Sequence, residues 1–313
     1  MQTSQVVFMR RKNSLMYAGL HPRTLRAYRQ ALDRFLHFSN KRRLPLRRTK
    51  ALDKELAEFI DTSYQEGEPI SYAGHLLSAI KRFHPQLRLC LPRSSQYFRN
   101  WQRCYTPSRA LPASWDLVEG MMGLAFHNGN DTFALLLALG FNCLLRTSEL
   151  LSLTHKHVVF HPRRKGLSIV VPGSKTSQGN PQVLLVSDQH LVNFASLVVR
   201  PDSDSLLWHS GAHRFRRVFD SYLVQLQFRS GTYTPYCLRR GGATWYFQSS
   251  LSLDATVTRG RWSCSKTARQ YIDEGTAQLA HASWSPSQRR AVTKWSRYLL
   301  KVRLRQEHRS GRT

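Results

Sequence analysis

The first hundred residues carry a helical spacing of apolar positions. In HPRTLRAYRQALDRFLHFSNKRR, residues 21–43, Leu25, Tyr28, Leu32, Phe35 and Leu36 fall on one helical face. LDKELAEFIDTSYQEG repeats the pattern with Leu52, Leu56, Phe59 and Ile60, and Gly67 ends it. SYAGHLLSAIKRFHP adds Leu76, Leu77, Ile80 and Phe83 and is stopped by Pro85. A shorter fourth helix is predicted over 95–103. Residues 21–104 therefore read as a small all-helical bundle, preceded by a basic, flexible 1–20 without a clear period.

The stretch YTPSRALPAS, 105–114, is polar with two prolines and reads as a linker between domains. Beyond it, helices are predicted near 115–127 and 131–145. THKHVVF and GLSIVVPGSKTSQGNPQVLLV then switch to alternating and β-branched residues. They predict a small antiparallel β-sheet whose hairpin tip holds Lys175 and Gly179. Helices resume near 188–199, 213–228, 236–250, 253–258, 265–272 and 286–305, and a basic tail occupies 306–313. The pattern predicts a mainly α protein with a helical first domain and an α+β second domain over 115–305. No apolar run reaches 18 residues, so no membrane span is predicted.

Charge narrows the partner. Lys and Arg number 47 against 19 Asp and Glu, a formal charge of +28, and the isoelectric point is near 10.8. This argues against a small-molecule enzyme with a neutral surface and for a polyanion partner, nucleic acid being the commonest. A membrane-surface protein would concentrate its basic residues in one block. Here they run from Arg10 to Arg312, as an extended DNA or RNA footprint requires. In the helical bundle, Lys81, Arg82, Arg99 and Arg103 are available to phosphates. The five cysteines are scattered without a CxxC pair, so neither zinc nor a disulfide framework is indicated. Three lie in apolar stretches and are expected in the core.

Four segments can carry chemistry. FNCLLRTSELLSL ends a nearly all-apolar helix at Arg146, with Glu149 three residues on to orient it. GSKTSQGNP places Lys175 on a loop. TPYCLRRGGATW sets Arg239, Arg240, Gly241 and Gly242 at a helix start. RGRWSCSKTARQYIDEG spaces Trp262 and Tyr271 nine residues apart among Arg261, Lys266 and Arg269. Each is weak singly: a capping arginine, a solvated lysine, a packing tyrosine. Together they fit attack on a DNA phosphodiester. Two arginines offer forks to the non-bridging oxygens, a lysine can protonate the leaving oxygen, and a tyrosine can attack and store the bond. The scheme needs no metal and no cofactor.

In this order the segments resemble the tyrosine recombinases, the phage-integrase family. The shared order is helical bundle, linker, Arg-x-x-Glu, hairpin lysine, x-x-x-Arg-x-Gly-x-Ala-Thr, tryptophan and tyrosine, over about 20–300. The resemblance implies a C-shaped DNA clamp made of a helical core-binding, SAM-like domain and a catalytic domain. It implies cleavage through a 3′-phosphotyrosine and strand exchange in a homo-tetramer on two synapsed double-stranded DNA sites. It makes Arg146 and Arg239 the catalytic arginines, Glu149 their acidic support and Lys175 the hairpin lysine, although Lys156 and Lys165 lie in the same sheet region. Trp262 becomes the ring N–H on the scissile phosphate and Tyr271 the nucleophile. Arg240 is expected on DNA, and Gly241 and Gly242 are expected to form a close-packing site near it, where a Cβ would intrude. LRRGGAT is similar to the version in eukaryotic mobile elements. Tyr236 departs from the pattern, standing where the family usually has His.

Two other functions share these residues: a DNA-binding protein of the same fold with impaired cleavage, and a type IB topoisomerase-like enzyme that relaxes DNA. The expected location is wherever DNA is, the nucleus of a eukaryote or the cytoplasm of a prokaryote. The acid-free first 30 residues also resemble an organellar presequence. The charge makes one prediction. DNA affinity should fall on the order of 10³-fold between 50 and 200 mM salt, as expected for six or more phosphate contacts, in a fluorescence-anisotropy titration. An affinity indifferent to salt would refute the electrostatic reading.

Overall fold

The computed structural model describes residues 17, 19–41, 44, 46, 48–106, 110–162, 165–173 and 180–310, with side chains to 302. The N-terminal arm expected to be flexible (save Tyr17, Gly19 and Leu20), the hairpin tip with Lys175 and Gly179, and the last three residues of the tail lie outside them. The chain divides into two compact units, Met1–Ser108 and Arg109–Thr313.

The first unit holds α1 (Pro22–Phe38), α2 (Thr49–Gln65), α3 (Ile70–Phe83) and α4 (Pro92–Cys104). Phe35, Leu52, Leu56, Phe59, Ile60, Leu76, Leu77 and Ile80 form its core with Trp101. Leu25, Tyr28, Leu32 and Phe83 are only partly buried, because they line an apolar groove between α1 and α3 that stays open on one side. Helix α4 starts three residues earlier than its apolar pattern indicates. Asp53 on α2 explains the difference. Its buried carboxylate accepts the N–H groups of Arg93 and Ser94 at 2.9 Å each and the Ser94 hydroxyl at 2.7 Å. It caps α4 from another helix, a signal no local pattern carries.

The second unit opens with α5 (Trp115–His127), capped by Ser114, and α6 (Asp131–Asn142). Every residue from Phe133 to Phe141 of α6 is buried, so this helix is apolar on all sides and forms the centre of the core. The predicted 131–145 helix stops at Asn142, because Leu144 adopts φ +48°. A short α7 (Thr147–Leu151) follows. Strands β1 (Val158–Phe160), β2 (Leu167–Val171) and β3 (Gln182–Val186) pair antiparallel in that order, with Val159, Ser168 and Leu185 in register. Val158, Leu167, Ile169, Val171, Leu184 and Val186 face the core.

Next come α8 (Gln189–Val198), α9 (Gly211–Gln225), α10 (Cys237–Ser250), α11 (Leu253–Gly260), α12 (Ser265–Ala268), α13 (Glu274–Ala282) and α14 (Pro286–Ser310). Helix α13 has a single buried residue, Ala280, and so carries no periodic signal; Asp273 caps it. Helix α14 packs along α5 of its own unit. The approach is so close that a Cβ on Gly123 would stand 2.1 Å from the Trp295 carbonyl oxygen. Two cysteines are buried, Cys143 and Cys237, rather than three; Cys90, Cys104 and Cys264 are exposed. No helix among the described residues is long and apolar enough to cross a membrane.

Replacing Asp53 by Ala strips three donors at the start of α4, two of them buried, of their acceptor. It should lower the stability of the first unit by about 2–4 kcal/mol, read as an earlier urea transition for that unit with the second unit's transition in place.

Candidate active site

The end of α6 is where the site is built. The left-handed turn at Leu144 leaves the last carbonyls of the helix without helical partners. Each receives a guanidinium from elsewhere in the chain. Arg259 donates to the Asn142 oxygen at 3.1 Å, Arg261 to the Cys143 oxygen at 3.1 Å, and Arg239 to the Leu144 oxygen. Cations at this end also meet the negative pole of the helix.

Glu149 completes the cluster. It is the third residue of α7, and its carboxylate accepts the Arg146 N–H at 2.9 Å, closing the cap. The same carboxylate takes the Arg146 guanidinium at 2.5 Å and that of Arg261 at 2.6 Å, and Arg239 lies 3.9 Å away. Burial pushes the Glu149 pKa up, but Arg261 and the hydrogen bonds from Arg146 outweigh it and hold the group below the usual carboxylate range. Arg261 is pulled down by burial, opposed by Glu149.

Arg239 is fully buried, with 0% exposure. Besides Leu144 it donates to the Gly260 oxygen at 2.8 Å. Burial first, then the neighbouring Arg146 and Arg261, bring its pKa down to about 10, so it remains charged at neutral pH. Two aromatic rings cover its guanidinium, Trp262 at 4.9 Å and Tyr271 at 5.2 Å. Those rings lie 4.8 Å apart. A Cβ on Gly260 would overlap the Trp262 ring, at 1.9 Å, so the glycine permits the tryptophan its place. The Nε atoms of Arg239, Arg240 and Arg261 and the Trp262 Nε1 are buried donors without a hydrogen-bond partner among the described residues. Such donors are costly unless something accepts from them.

Tyr271 follows α12 in a turn, its N–H donating to the Ala268 oxygen at 2.9 Å. Its hydroxyl oxygen accepts from the Tyr236 hydroxyl at 2.7 Å. Burial, then the bond to Tyr271, raises the Tyr236 pKa far above that of a free phenol, so Tyr236 is a neutral donor at physiological pH.

No family model matches the chain, and no curated protein matches it in sequence. Solved structures do. The Tn1549 transposon integrase in complex with transposon right-end DNA matches with TM-score 0.60 at 12% identity, over 90% of this chain and 96% of that one. A lambda integrase dimer bound to a COC′ core site gives 0.58 at 14%, over 90% and 79%. XerH site-specific recombinase in a post-cleavage complex with palindromic difH gives 0.51 at 15%, over 74% and 70%. The chain has the fold of the tyrosine recombinases.

Within this tyrosine-recombinase fold, the structure gathers Arg146, Glu149, Tyr236, Arg239, Trp262 and Tyr271 into one cluster from three stretches of chain. Lys175 lies outside the described residues. Of the other lysines in the sheet region, Lys165 is exposed and Lys156 pairs with Asp204 at 2.8 Å. Arg240 corrects an expectation. Its side chain is buried, donating to the Ala110 oxygen at 2.6 Å and to Asp273 at 2.9 Å, and so is not presented to DNA. The glycines are the close-packing positions expected. A Cβ would stand 2.0 Å from the Ala113 oxygen at Gly241 and 2.1 Å from the Phe141 oxygen at Gly242, so what they admit is protein backbone.

In the first unit, Lys81 donates to the Ser95 hydroxyl at 2.9 Å, bridging α3 and α4, and burial and the nearby Arg99 lower its pKa. Arg99 and Arg103 are exposed on α4, and Arg82 is half-buried on α3. Sequence reading gave Arg261 no role. It takes φ +56°, an unusual backbone for arginine, and only its place beside Trp262 pointed to it.

Glu149→Gln should cost about 3–5 kcal/mol in the second unit, since it leaves three guanidinium groups around a neutral amide. Because the folded pKa is lowered, the carboxylate's contribution is complete above the ordinary carboxylate pKa. It is lost as pH falls through the folded value. The gap between wild type and variant in denaturation midpoints should therefore close on acidification.

Proposed function

We propose that the chain is a DNA strand transferase of the tyrosine-recombinase type, a site-specific recombinase or integrase that cleaves through Tyr271. The observation that carries the reading is the set of buried donors on Arg239, Arg261 and Trp262 without a partner among the described residues, with the Tyr271 ring 4.8 Å from that of Trp262 and 5.2 Å from the Arg239 guanidinium. The non-bridging oxygens of a phosphodiester are acceptors of the right charge for them, and Arg146, 29% exposed, adds a fork at the edge. Since the Trp262 and Tyr271 rings cover Arg239, a phosphate reaches its Nε only when those rings shift.

In the reaction, the Tyr271 oxygen attacks phosphorus and its proton passes to solvent at the half-exposed hydroxyl. The bond from phosphorus to the 5′ oxygen breaks, a 3′-phosphotyrosine forms, and the 5′ oxygen takes a proton, for which Lys175 is the assigned donor. A second DNA end reverses the steps and joins. Tyr236 works here as a donor. Its high pKa makes it a poor base, but its O–H stabilises the phenolate that Tyr271 becomes. Two DNA sites held by four copies would make this strand exchange. One pair of copies acting on one site would make it relaxation. LRRGGAT favours a mobile-element source.

A binding-only protein is the second reading, favoured by Tyr236 in place of His and by the complete burial of Arg239. Nicked DNA from the chain's native genomic flank, which traps a cleaved intermediate, decides between them. A denaturation-resistant protein–DNA adduct should form with wild type and vanish with Tyr271→Phe. Bound DNA without an adduct would favour the binding-only protein. Tyr236→His, which supplies a base, should keep or raise the adduct rate. Tyr236→Phe should lower it by about tenfold, the worth of one hydrogen bond of about 1.4 kcal/mol.

A further inference from the structure

Arg240 follows Arg239 directly, yet its guanidinium serves other partners. One nitrogen donates to the Ala110 oxygen, in the segment that enters the second unit, and the other pairs with Asp273, two residues past Tyr271. One turn further along α10, the buried Thr244 hydroxyl accepts the Asp273 N–H at 3.1 Å and lies 3.3 Å from the Tyr271 carbonyl oxygen. The entering segment runs against the same helix. The Ala113 N–H donates to the Cys237 oxygen at 3.2 Å, and the Ala113 carbonyl fills the space above Gly241. Two stretches of chain, 110–113 and 271–273, are thus moored on one helix, and Arg240 bonds to both.

In this pair the Arg240 side chain is buried while that of Asp273 is 29% exposed, and the water Arg240 gives up offsets most of what the attraction adds to stability. What a two-pronged guanidinium does supply is fixed geometry. We infer that Arg240 and Asp273 are a positioning pair. They set where the Tyr271 hydroxyl stands and tie that placement to the first residues of the second unit, 110–113. The inference rests on Tyr271 being the nucleophile. Arg240 itself touches no reacting atom. Its effect passes through Asp273 and the short backbone from 273 to 271.

The test uses the full chain on the nicked DNA described above, at saturating DNA and single turnover, beside amide hydrogen exchange. Arg240→Ala and Asp273→Asn should each slow adduct formation on the order of 10- to 100-fold, as sub-ångström misplacement of a nucleophile does, with DNA affinity within about threefold of wild type. The double variant should be no slower than the slower single, since both changes cut one link. Arg240→Lys, which reaches only one acceptor, should fall between. Exchange should rise in 269–276 and 110–114 and stay unchanged in α6.

Wild-type rates in the variants would overturn the inference. So would multiplying defects in the double variant, or an exchange increase that includes α6, which marks general loss of structure. If wild type forms no adduct, the functional reading fails by itself. The exchange measurement then decides the mooring alone: a rise in both segments keeps it, and no rise ends it.

Discussion

The three carbonyls left open at the end of α6 are the constraint on which the second unit depends. A helix buried on every side cannot turn its last oxygens to water, so donors must come from the chain. They come from Arg239 on α10, the helix that carries the arginine motif, and from Arg259 and Arg261 at the end of α11. Satisfying the helix end therefore draws together the parts of the site. Glu149 adds one full negative charge to those dipoles, facing Arg146, Arg239 and Arg261. Three cations against one carboxylate leave an excess of positive charge inside the protein. Fixed backbone oxygens hold it there without neutralising it, the condition for receiving an anion.

The arrangement works only because backbones come close. Gly241 and Gly242 let the first turns of α10 rest on the carbonyls of Ala113 and Phe141. A side chain at Gly242 would lift α10 from α6 and pull Arg239 off Leu144, and one at Gly241 would push the 110–113 segment off α10. Gly260 has the same importance on the other side, where the Trp262 ring occupies the room a methyl group would need. Gly241 and Gly242 are the reason the arginines beside them can be buried at all.

Much of this is legible along the chain. The helices of the first unit follow from their apolar faces, and the order of Arg146, Glu149, Arg239, Trp262 and Tyr271 indicates one chemistry. What the sequence does not carry is information held between distant residues. Asp53 caps a helix forty residues away, so α4 begins where its own pattern gives no reason to begin. Arg240 is indistinguishable in sequence from a DNA-binding arginine until its acceptors are seen. Leu144 has no turn-forming character, and the bend it makes is imposed by packing. The cluster around Glu149 unites segments more than a hundred residues apart, which no local periodicity reports.

The anchoring of Arg239 has a further consequence for how the protein is made. Its two acceptors, Leu144 and Gly260, lie on either side of it in the chain, and Arg261, which Glu149 requires, emerges later still. A nascent chain that has just released the arginine motif from the ribosome lacks the carbonyl that fixes it, and the tyrosine is thirty-two residues behind it, counting from Arg239 to Tyr271. The site cannot assemble piecemeal. It closes only when the last third of the chain has been synthesised, so an interrupted translation product carries Arg146 and Arg239 without the Gly260 carbonyl and the Arg261 guanidinium that complete the cluster.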